Sequence, residues 1–219
     1  MPAHGAHQNL SGLYVILDPL VRPDRSLTET LKASANAGAR IFQYRNKTAS
    51  MKDAYTEALA LRSQARELSV LFIVNDRCDL ALAVDADGVH LGQKDLPYTY
   101  ARKVMGPDKL IGLSTHNAEQ VKEAERLKPD YIGFGPIFTP GSKQDHDPIV
   151  GIEGLRTVRA LTKLPIFAIG GITIDQVGEV MRTGANGVAV ISAILRAPNI
   201  KQAVKDFLTQ MPAPASPAF

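Results

Sequence analysis

Short apolar runs alternate with longer amphipathic segments along almost the whole of this 219-residue chain, and no other feature limits its fold so strongly. Eight of the runs are rich in Val, Ile, Phe or Tyr and end near a polar or glycine-containing turn, which is typical of buried strands. They occupy residues 13–17, 40–45, 71–75, 88–91, 110–114, 131–134, 166–169 and 187–191. Strands that alternate with helices in this way predict a parallel sheet covered by helices.

The segments between the runs carry helical signals. The clearest are residues 26–37, 51–68, 118–127, 155–161, 174–182 and 200–210. In the second of them, Ala54, Ala58 and Leu61 recur at the spacing of one helix face. In the fifth, Thr173 is followed three residues later by Gln176, which predicts a helix start with Thr173 as its N-cap.

Eight strands with intervening helices fit either a closed barrel or an open doubly wound sheet. The length suits one α/β barrel, and no Gly-x-Gly-x-x-Gly turn follows the first strand as it would in a dinucleotide-binding sheet. We therefore predict a single (β/α)8 TIM barrel over residues 11–210. Residues 1–10 are expected to form a flexible arm, and the Pro- and Ala-rich residues 211–219 a disordered tail.

Composition excludes several classes of protein. The net charge of +3 comes without any basic block of the kind that binds nucleic acid. No apolar run approaches the roughly 20 residues of a membrane span, and the first residues lack the pattern of a secretory signal. Cys78 is the only cysteine, so no internal disulfide can form. These features predict a cytoplasmic protein that acts on small molecules, and they leave a homo-oligomer open.

Catalytic groups of such barrels lie where the strands end. After the second strand, Gln43, Arg45 and Lys47 are two residues apart and would share one face of an extended chain. An amide, a guanidinium and an ammonium group pointing to the mouth of the barrel would suit a polyanion such as diphosphate. A solvated strand end fits the same spacing equally well.

Acidic residues end the next two strands. Asn75 and Asp76 follow the third strand and Asp95 follows the fourth, so the two carboxylates could hold one Mg²⁺ beside a substrate phosphate. Separately, Asp76 could pair with Arg77 or cap the next helix. Asp95 could serve only in a turn ahead of Pro97.

Two further strand ends carry groups that could contact a substrate. Ser114 could donate to phosphate, although capping of the helix near residue 118 is a strong rival. His116 could act as a general acid or base, but a lone histidine after a strand more often has a structural role. After the sixth strand comes a long loop that contains glycine and carries Lys143 near its middle. Loops of this length often act as lids over barrel sites.

The last two strand ends predict a second anion site. Gly170 and Gly171 lead into a helix, and Ile191 and Ser192 follow the eighth strand. Bare backbone N–H groups at such places bind phosphate, and barrels often bind it between these two loops. Tight turns require glycine as well, so the pair alone does not decide between these roles. Two anion sites suggest two phosphorylated substrates or one bisphosphate.

The chain resembles the thiamine-phosphate synthase family from about residue 14 to residue 194. The matching strings are Gln-Tyr-Arg-Asn-Lys at 43–47, Asn-Asp-Arg at 75–77, Asp-Gly-Val-His-Leu-Gly-Gln-Lys-Asp-Leu-Pro at 87–97, Ile-Gly-Leu-Ser-Thr-His at 111–116, Tyr-Ile-Gly-Phe-Gly-Pro-Ile-Phe at 131–138, Ala-Ile-Gly-Gly-Ile at 168–172 and Gly-Val-Ala-Val-Ile-Ser at 187–192. The resemblance implies a transferase that joins a hydroxymethylpyrimidine diphosphate to a thiazole phosphate, with Mg²⁺-assisted loss of pyrophosphate.

The resemblance also implies a role for each site residue. Gln43 would contact the pyrimidine and Ser114 the reacting region or the leaving group. The diphosphate would be held by Arg45, Lys47, Asn75 and Lys143, and Mg²⁺ by Asp76 and Asp95. Backbone N–H groups of Gly171, Ile191 and Ser192 would hold the thiazole phosphate.

One stretch departs from the family pattern Pro-Thr-x-Thr-Lys after the sixth strand. Here it is Thr139-Pro140-Gly141-Ser142-Lys143. Ser142 can replace the second threonine of the pattern, and Thr139 lies one position before the place of the first. Two rivals share the barrel, a thiazole tautomerase and a non-catalytic barrel that binds thiamine precursors. The charged set Arg45, Lys47, Asp76 and Asp95 favours the synthase, since neither rival requires it.

Overall fold

A computed structural model describes residues 10–139 and 148–212 of the chain. Eight parallel strands close into a barrel in chain order, and the first strand pairs with the last through the register Val15↔Val190. This closure confirms the predicted (β/α)8 barrel and excludes the doubly wound sheet, which has open edges. No helix in the described ranges is both long and apolar enough to span a bilayer.

The strands lie where the apolar runs predict them. Four have the predicted bounds, and the others differ by one residue at one or both ends. The strands are β1 Gly12–Leu17, β2 Ile41–Tyr44, β3 Leu71–Asn75, β4 Gly88–Leu91, β5 Leu110–Thr115, β6 Tyr131–Phe134, β7 Ile166–Ile169 and β8 Gly187–Val190.

The helices of the described chain form the outer layer. They are α1 Leu27–Asn36, α2 Met51–Glu67, α3 Cys78–Ala83, α4 Tyr98–Met105, α5 Ala118–Leu127, α6 Gly151–Leu161, α7 Ile174–Arg182, α8 Ser192–Leu195 and α9 Ile200–Thr209. The sequence does not predict α3, α4 or α8, because helices this short show too few turns of periodicity. Helix α6 begins before the predicted position, since two glycines in its first turn weaken the helical signal.

Polar side chains fix the starts of several helices. Ser26, Ser50, Asn117 and Asn199 each accept a hydrogen bond from the backbone N–H three residues later. At α7, the side chain of Gln176 accepts from the Thr173 N–H at 2.9 Å, so the predicted helix start is confirmed. Each such cap stabilises its helix by about 1 kcal/mol.

The core has two parts, one between the barrel and the helices and one inside the barrel. The inner part is built around Tyr14, Tyr131 and Phe167, whose rings meet edge to face at centroid separations of 5.3–5.9 Å. Gly112 makes room for them, because a Cβ atom there would lie 2.1 Å from the Tyr131 ring. These aromatic rings fill the barrel interior and form the floor under its carboxyl end.

The ends of the barrel domain can be followed on both sides. Leu10 is buried against the inner core and Met211 packs on the outer one. The rest of the predicted N-terminal arm, residues 1–9, and the predicted tail from residue 213 onward lie outside the described residues. Their flexibility and disorder therefore stay predictions.

Candidate active site at the carboxyl end of the barrel

A cavity of about 480 Å³, its open mouth included, lies at the carboxyl end of the strands. All eight strands contribute to its wall, either directly or through the residue that follows them. The lining residues are Tyr14, Ile16, Gln43, Arg45, Asn75, His90, Ser114, Tyr131, Gly133, Phe167, Ile169, Ala189 and Ile191. Four of the predicted substrate-binding side chains, those of Gln43, Arg45, Asn75 and Ser114, therefore face one space.

Arg45 is held by a buried acid that the sequence does not single out. Its guanidinium forms an ion pair with Asp18, the residue that follows β1, and only 4% of the Asp18 side chain is exposed. The other oxygen of Asp18 accepts the Leu20 N–H at 3.0 Å. A carboxylate removed from water in this way fixes the direction of its partner. Asp18 follows an apolar run, as Asp76 does, and this position is the signal by which the sequence could have identified it.

Lys47 reaches across the rim to the next strand. Its Nζ lies 3.1 Å from a carboxylate oxygen of Asp76, and about half of the lysine side chain remains exposed. The alternative pairing of Asp76 with Arg77 is absent, because Arg77 pairs with Asp79 at 2.6 Å. Asp76 does not cap α3 either. The N-cap residue of α3 is Arg77, and no side chain forms a capping hydrogen bond at this helix start.

The carboxyl groups of Asp76 and Asp95 lie close enough together for Asp76 to affect the ionisation of Asp95. The pKa of Asp95 is raised, first because burial disfavours its charge and then because Asp76 lies beside it. The Gly92 N–H, 2.6 Å from Asp95 Oδ2, opposes this effect and closes the turn expected there. Two neighbouring acids favour a shared proton or a bound cation. In the described ranges no group of three or more metal-ligating side chains occurs.

A chain of hydrogen bonds crosses the floor of the cavity. Gln43 Nε2 donates to the Tyr14 hydroxyl at 2.8 Å, and this hydroxyl lies 2.9 Å from that of Tyr131. The two ring nitrogens of His90 then contact Tyr131 at 3.2 Å and Ser114 at 2.9 Å. Burial raises the pKa of both tyrosines, so both hydroxyls stay protonated at neutral pH.

The residues after Ser114 have structural partners. Asn117, and not Ser114, caps α5. The Thr115 hydroxyl is buried and donates to the Gly133 carbonyl at 3.0 Å. His116 contacts the Gly135 carbonyl through Nδ1 at 2.7 Å, which fits the structural alternative for this histidine. Of Ser114, Thr115 and His116, only Ser114 lines the cavity.

The glycine pair after β7 lies against the loop that follows β6. The Phe138 N–H donates to the Gly170 carbonyl at 2.9 Å, and a Cβ at Gly171 would lie 2.5 Å from the Thr139 carbonyl oxygen. Close packing of the two loops therefore requires glycine here. The backbone N–H groups of Gly171, Ile191 and Ser192 have no hydrogen-bond acceptor in the described part of the chain. The predicted contacts Ser142 and Lys143 lie outside it.

Sequence reasoning missed Tyr14, His90 and Tyr131 as members of the site. Each is a polar side chain inside an otherwise apolar strand, and each faces the barrel interior. A buried histidine or tyrosine in a strand commonly has only a structural hydrogen bond, so this signal is weak by itself. It gains meaning only when the barrel brings the three side chains together.

Comparisons with known proteins agree with this geometry. The model of the family described as thiamine monophosphate synthase matches residues 13–194. A thiamine-phosphate synthase of Chloroflexus aurantiacus is 45% identical over 193 residues, which cover 88% of this chain and 89% of that protein. One of Chlorobium phaeovibrioides is 48% identical over 174 residues, 80% of this chain and 83% of that protein.

A solved structure shows the same similarity. The thiamine phosphate pyrophosphorylase of Pyrococcus furiosus superimposes with a TM-score of 0.83 and 38% identity. The match covers 92% of this chain and 96% of that one.

Proposed function

The chain belongs to the thiamine monophosphate synthase family, and on that premise we propose how the open end of its barrel carries out the reaction. Its activity is that of a thiamine-phosphate synthase, a transferase. The reaction joins a hydroxymethylpyrimidine diphosphate to a thiazole phosphate and releases pyrophosphate. Two anionic substrates match the two anion sites that the strand ends predict.

The placement of Asp76 beside Asp95 at the rim of the barrel is the observation that carries the proposal. Two adjoining carboxylates repel each other, and a divalent cation removes that repulsion. Mg²⁺ is bound in proteins by one or two carboxylates together with phosphate oxygens and water, which is the set available here. When bound, it would neutralise charge on the diphosphate oxygens. The donor set of this rim therefore fits the metal.

The departing pyrophosphate is the group that needs stabilisation. The bond between the pyrimidine methylene carbon and the diphosphate oxygen breaks, and the oxygen keeps the electron pair. The thiazole nitrogen then gives its lone pair to the carbon. Arg45, fixed by Asp18, and Lys47, beside Asp76, place positive charge where negative charge builds up. Such preorganised charge is the main electrostatic means of lowering the barrier.

Gln43 and Ser114 are proposed to contact the pyrimidine side of the reaction. Both line the cavity, and Gln43 is almost fully buried among aromatic rings. A cavity lined by aromatic rings, with an amide in its floor, suits a planar heterocycle. Ser114 would contact the reacting region or the leaving group from the opposite wall. Asn75 also lines the cavity, directly before Asp76 in the chain, and would assist with the diphosphate.

The thiazole phosphate is proposed to bind at the N–H groups of Gly171, Ile191 and Ser192. No acceptor in the described chain uses these donors. From the loop after β6, Thr139 and Ser142 are proposed to contact the substrates at this position, and Lys143 to hold the diphosphate. Thr139 is exposed directly above Gly171, in keeping with that position.

The tautomerase alternative is not favoured. The relatives are synthases, and the paired carboxylates and cations would have no task in an isomerisation that releases no pyrophosphate. A barrel that only binds thiamine precursors would likewise have no task for the neighbouring carboxylates of Asp76 and Asp95.

Release of pyrophosphate tests the proposal. It should require the pyrimidine diphosphate, the thiazole phosphate and Mg²⁺ together, and product should form in equal amount. Normal release in the presence of a chelator would show that the metal assignment is wrong. If no pyrophosphate is released under any condition and the protein instead interconverts the thiazole tautomers, the isomerase would be favoured.

A further inference from the structure

We infer that Tyr14, Tyr131 and His90 form a one-way chain of hydrogen bonds that turns the hydrogen of the Ser114 hydroxyl toward the cavity. The inference rests on the proposed function, because it explains how Ser114 becomes a donor to the substrate. The three residues are positioning residues, since they act through Ser114 and not on the reacting atoms.

The direction of the chain begins at Gln43. Its amide nitrogen can only donate, so the Tyr14 oxygen accepts this bond at 2.8 Å. The Tyr14 hydrogen must then find an acceptor, because a buried donor without one is costly. The Tyr131 oxygen at 2.9 Å is the available partner in the described chain. Tyr14 therefore donates to Tyr131.

The same reasoning continues to His90. The Tyr131 oxygen already accepts, so its own hydrogen points to His90 Nδ1 at 3.2 Å. That nitrogen must be unprotonated, and neutral His90 carries its proton on Nε2. Nε2 then donates to Ser114 Oγ at 2.9 Å. The reverse direction would leave the hydrogen of Tyr14, which is 1% exposed, without any partner.

The consequence falls on Ser114. Its oxygen accepts from His90, and its hydrogen has no other acceptor in the described ranges. Because the hydroxyl lines the cavity, that hydrogen is free for an anionic substrate oxygen. A serine hydroxyl normally rotates among several positions. Here its direction is set before the substrate binds, which is what a preorganised donor requires.

Kinetics of Tyr131→Phe test the inference against a matched control. Tyr44→Phe also removes a buried tyrosine hydroxyl, but that hydroxyl donates to Glu57 at 2.7 Å on the outer side of the barrel. We expect Tyr131→Phe to lower kcat about 10-fold and to leave both KM values within about 2-fold. Tyr44→Phe should keep the wild-type kcat. Equal kcat in the two variants would overturn the inference.

A spectroscopic test needs no folded variant of the tyrosines. The ¹⁵N shifts of a labelled histidine ring separate the protonated nitrogen from the unprotonated one. In the wild-type protein, His90 should carry its proton on Nε2 alone, and its signals are assigned by their loss in His90→Gln. A proton on Nδ1 would contradict the direction of the chain.

Ser114→Ala separates failure of this inference from failure of the proposed function. If Ser114→Ala keeps the wild-type kcat, the proposed role of Ser114 is wrong. If Ser114→Ala is impaired, Tyr131→Phe should add nothing further in that background, because both changes remove one donor. Additive losses in the double variant would contradict the inference and leave the role of Ser114 intact.

Discussion

At the amino end of the barrel, Asp87 accepts hydrogen bonds from a guanidinium and a backbone N–H, whereas at the carboxyl end Asp95 meets a second carboxylate. Asp87 directly precedes β4, and its Oδ2 lies 2.8 Å from the Phe72 N–H and 3.0 Å from an Arg62 nitrogen. The acid thus ties a strand of the barrel to helix α2. Both donors belong to the barrel and its helices, so the role of Asp87 is structural.

This arrangement recurs around the amino end. Asp130, before β6, accepts from a β5 N–H at 2.7 Å and from Arg102 at 2.8 Å. Asn186, before β8, accepts from a β7 N–H at 3.0 Å and from Arg159 at 3.3 Å. Before three of the four even-numbered strands, β4, β6 and β8, one side-chain oxygen therefore joins the neighbouring strand to an arginine.

The carboxyl end lacks this balance. Asp76 and Asp95 are neighbours, and burial together with Asp76 raises the Asp95 pKa. Arg45 and Lys47 face the same rim. The contrast teaches that the same residue types stabilise the barrel where an acid is surrounded by donors, and that two neighbouring acids at the other end are placed for the proposed ligand binding, which matches the division of labour in barrels. Four changes test this contrast, in order of expected effect.

Asp95→Asn should have the largest effect, a loss of activity. Loss of one of the two carboxylates that we propose to bind Mg²⁺ should lower kcat/KM at least about 100-fold. The control is Asp79→Asn, which removes an exposed acid near the same rim that pairs with Arg77. Steady-state kinetics with Mg²⁺ measure both. If Asp95→Asn is as active as the control, the active site does not lie at this end of the barrel.

Asp130→Ala should act on stability alone. It leaves a backbone N–H and the Arg102 guanidinium without their acceptor, so the free energy of unfolding should fall by about 1–3 kcal/mol. Asp130→Asn should be nearly neutral, because Asn186 does the same work before β8. Urea unfolding gives the stabilities. A loss of kcat in the folded alanine variant would break the proposed division between the ends.

Asp18→Asn should weaken the hold on Arg45 and raise the KM for the pyrimidine diphosphate about 10-fold. The neutral amide keeps the volume but loses the charge that directs the guanidinium. Asp24→Asn, at an exposed pair with Arg22, is the control and should change nothing. Initial rates over a range of diphosphate concentrations measure the effect, and an unchanged KM would show that Arg45 needs no partner.

The pH dependence of stability should show the smallest effect. A raised pKa means that folded Asp95 holds its proton more tightly than unfolded Asp95. Its contribution to stability is therefore full below the ordinary aspartate pKa of about 3.9 and is lost as pH rises through the raised folded value. In the presence of a chelator, wild type should fall below Asp95→Asn in Tm as pH rises from 4 to about 7. A constant difference in Tm would contradict the shift.

The barrel was predictable because its strands are apolar runs whose ends carry turn residues. The rim groups were predictable for the same reason, since Arg45, Asp76 and Asp95 sit where strands end. Asp18 has that position too but lacks a neighbouring motif, and it escaped notice. The chain through Tyr14, Tyr131 and His90 joins residues up to 117 positions apart, so only the closed barrel reveals it.

Binding of pyrophosphate, measured by titration calorimetry, tests the central claim most directly. With Mg²⁺ present, wild type should bind pyrophosphate at least about 10-fold more tightly than in a chelator. The double variant Asp76→Asn, Asp95→Asn should lose that gain and keep the weaker binding due to Arg45 and Lys47. If Mg²⁺ strengthens binding equally in both proteins, the paired carboxylates do not hold the metal and the account fails.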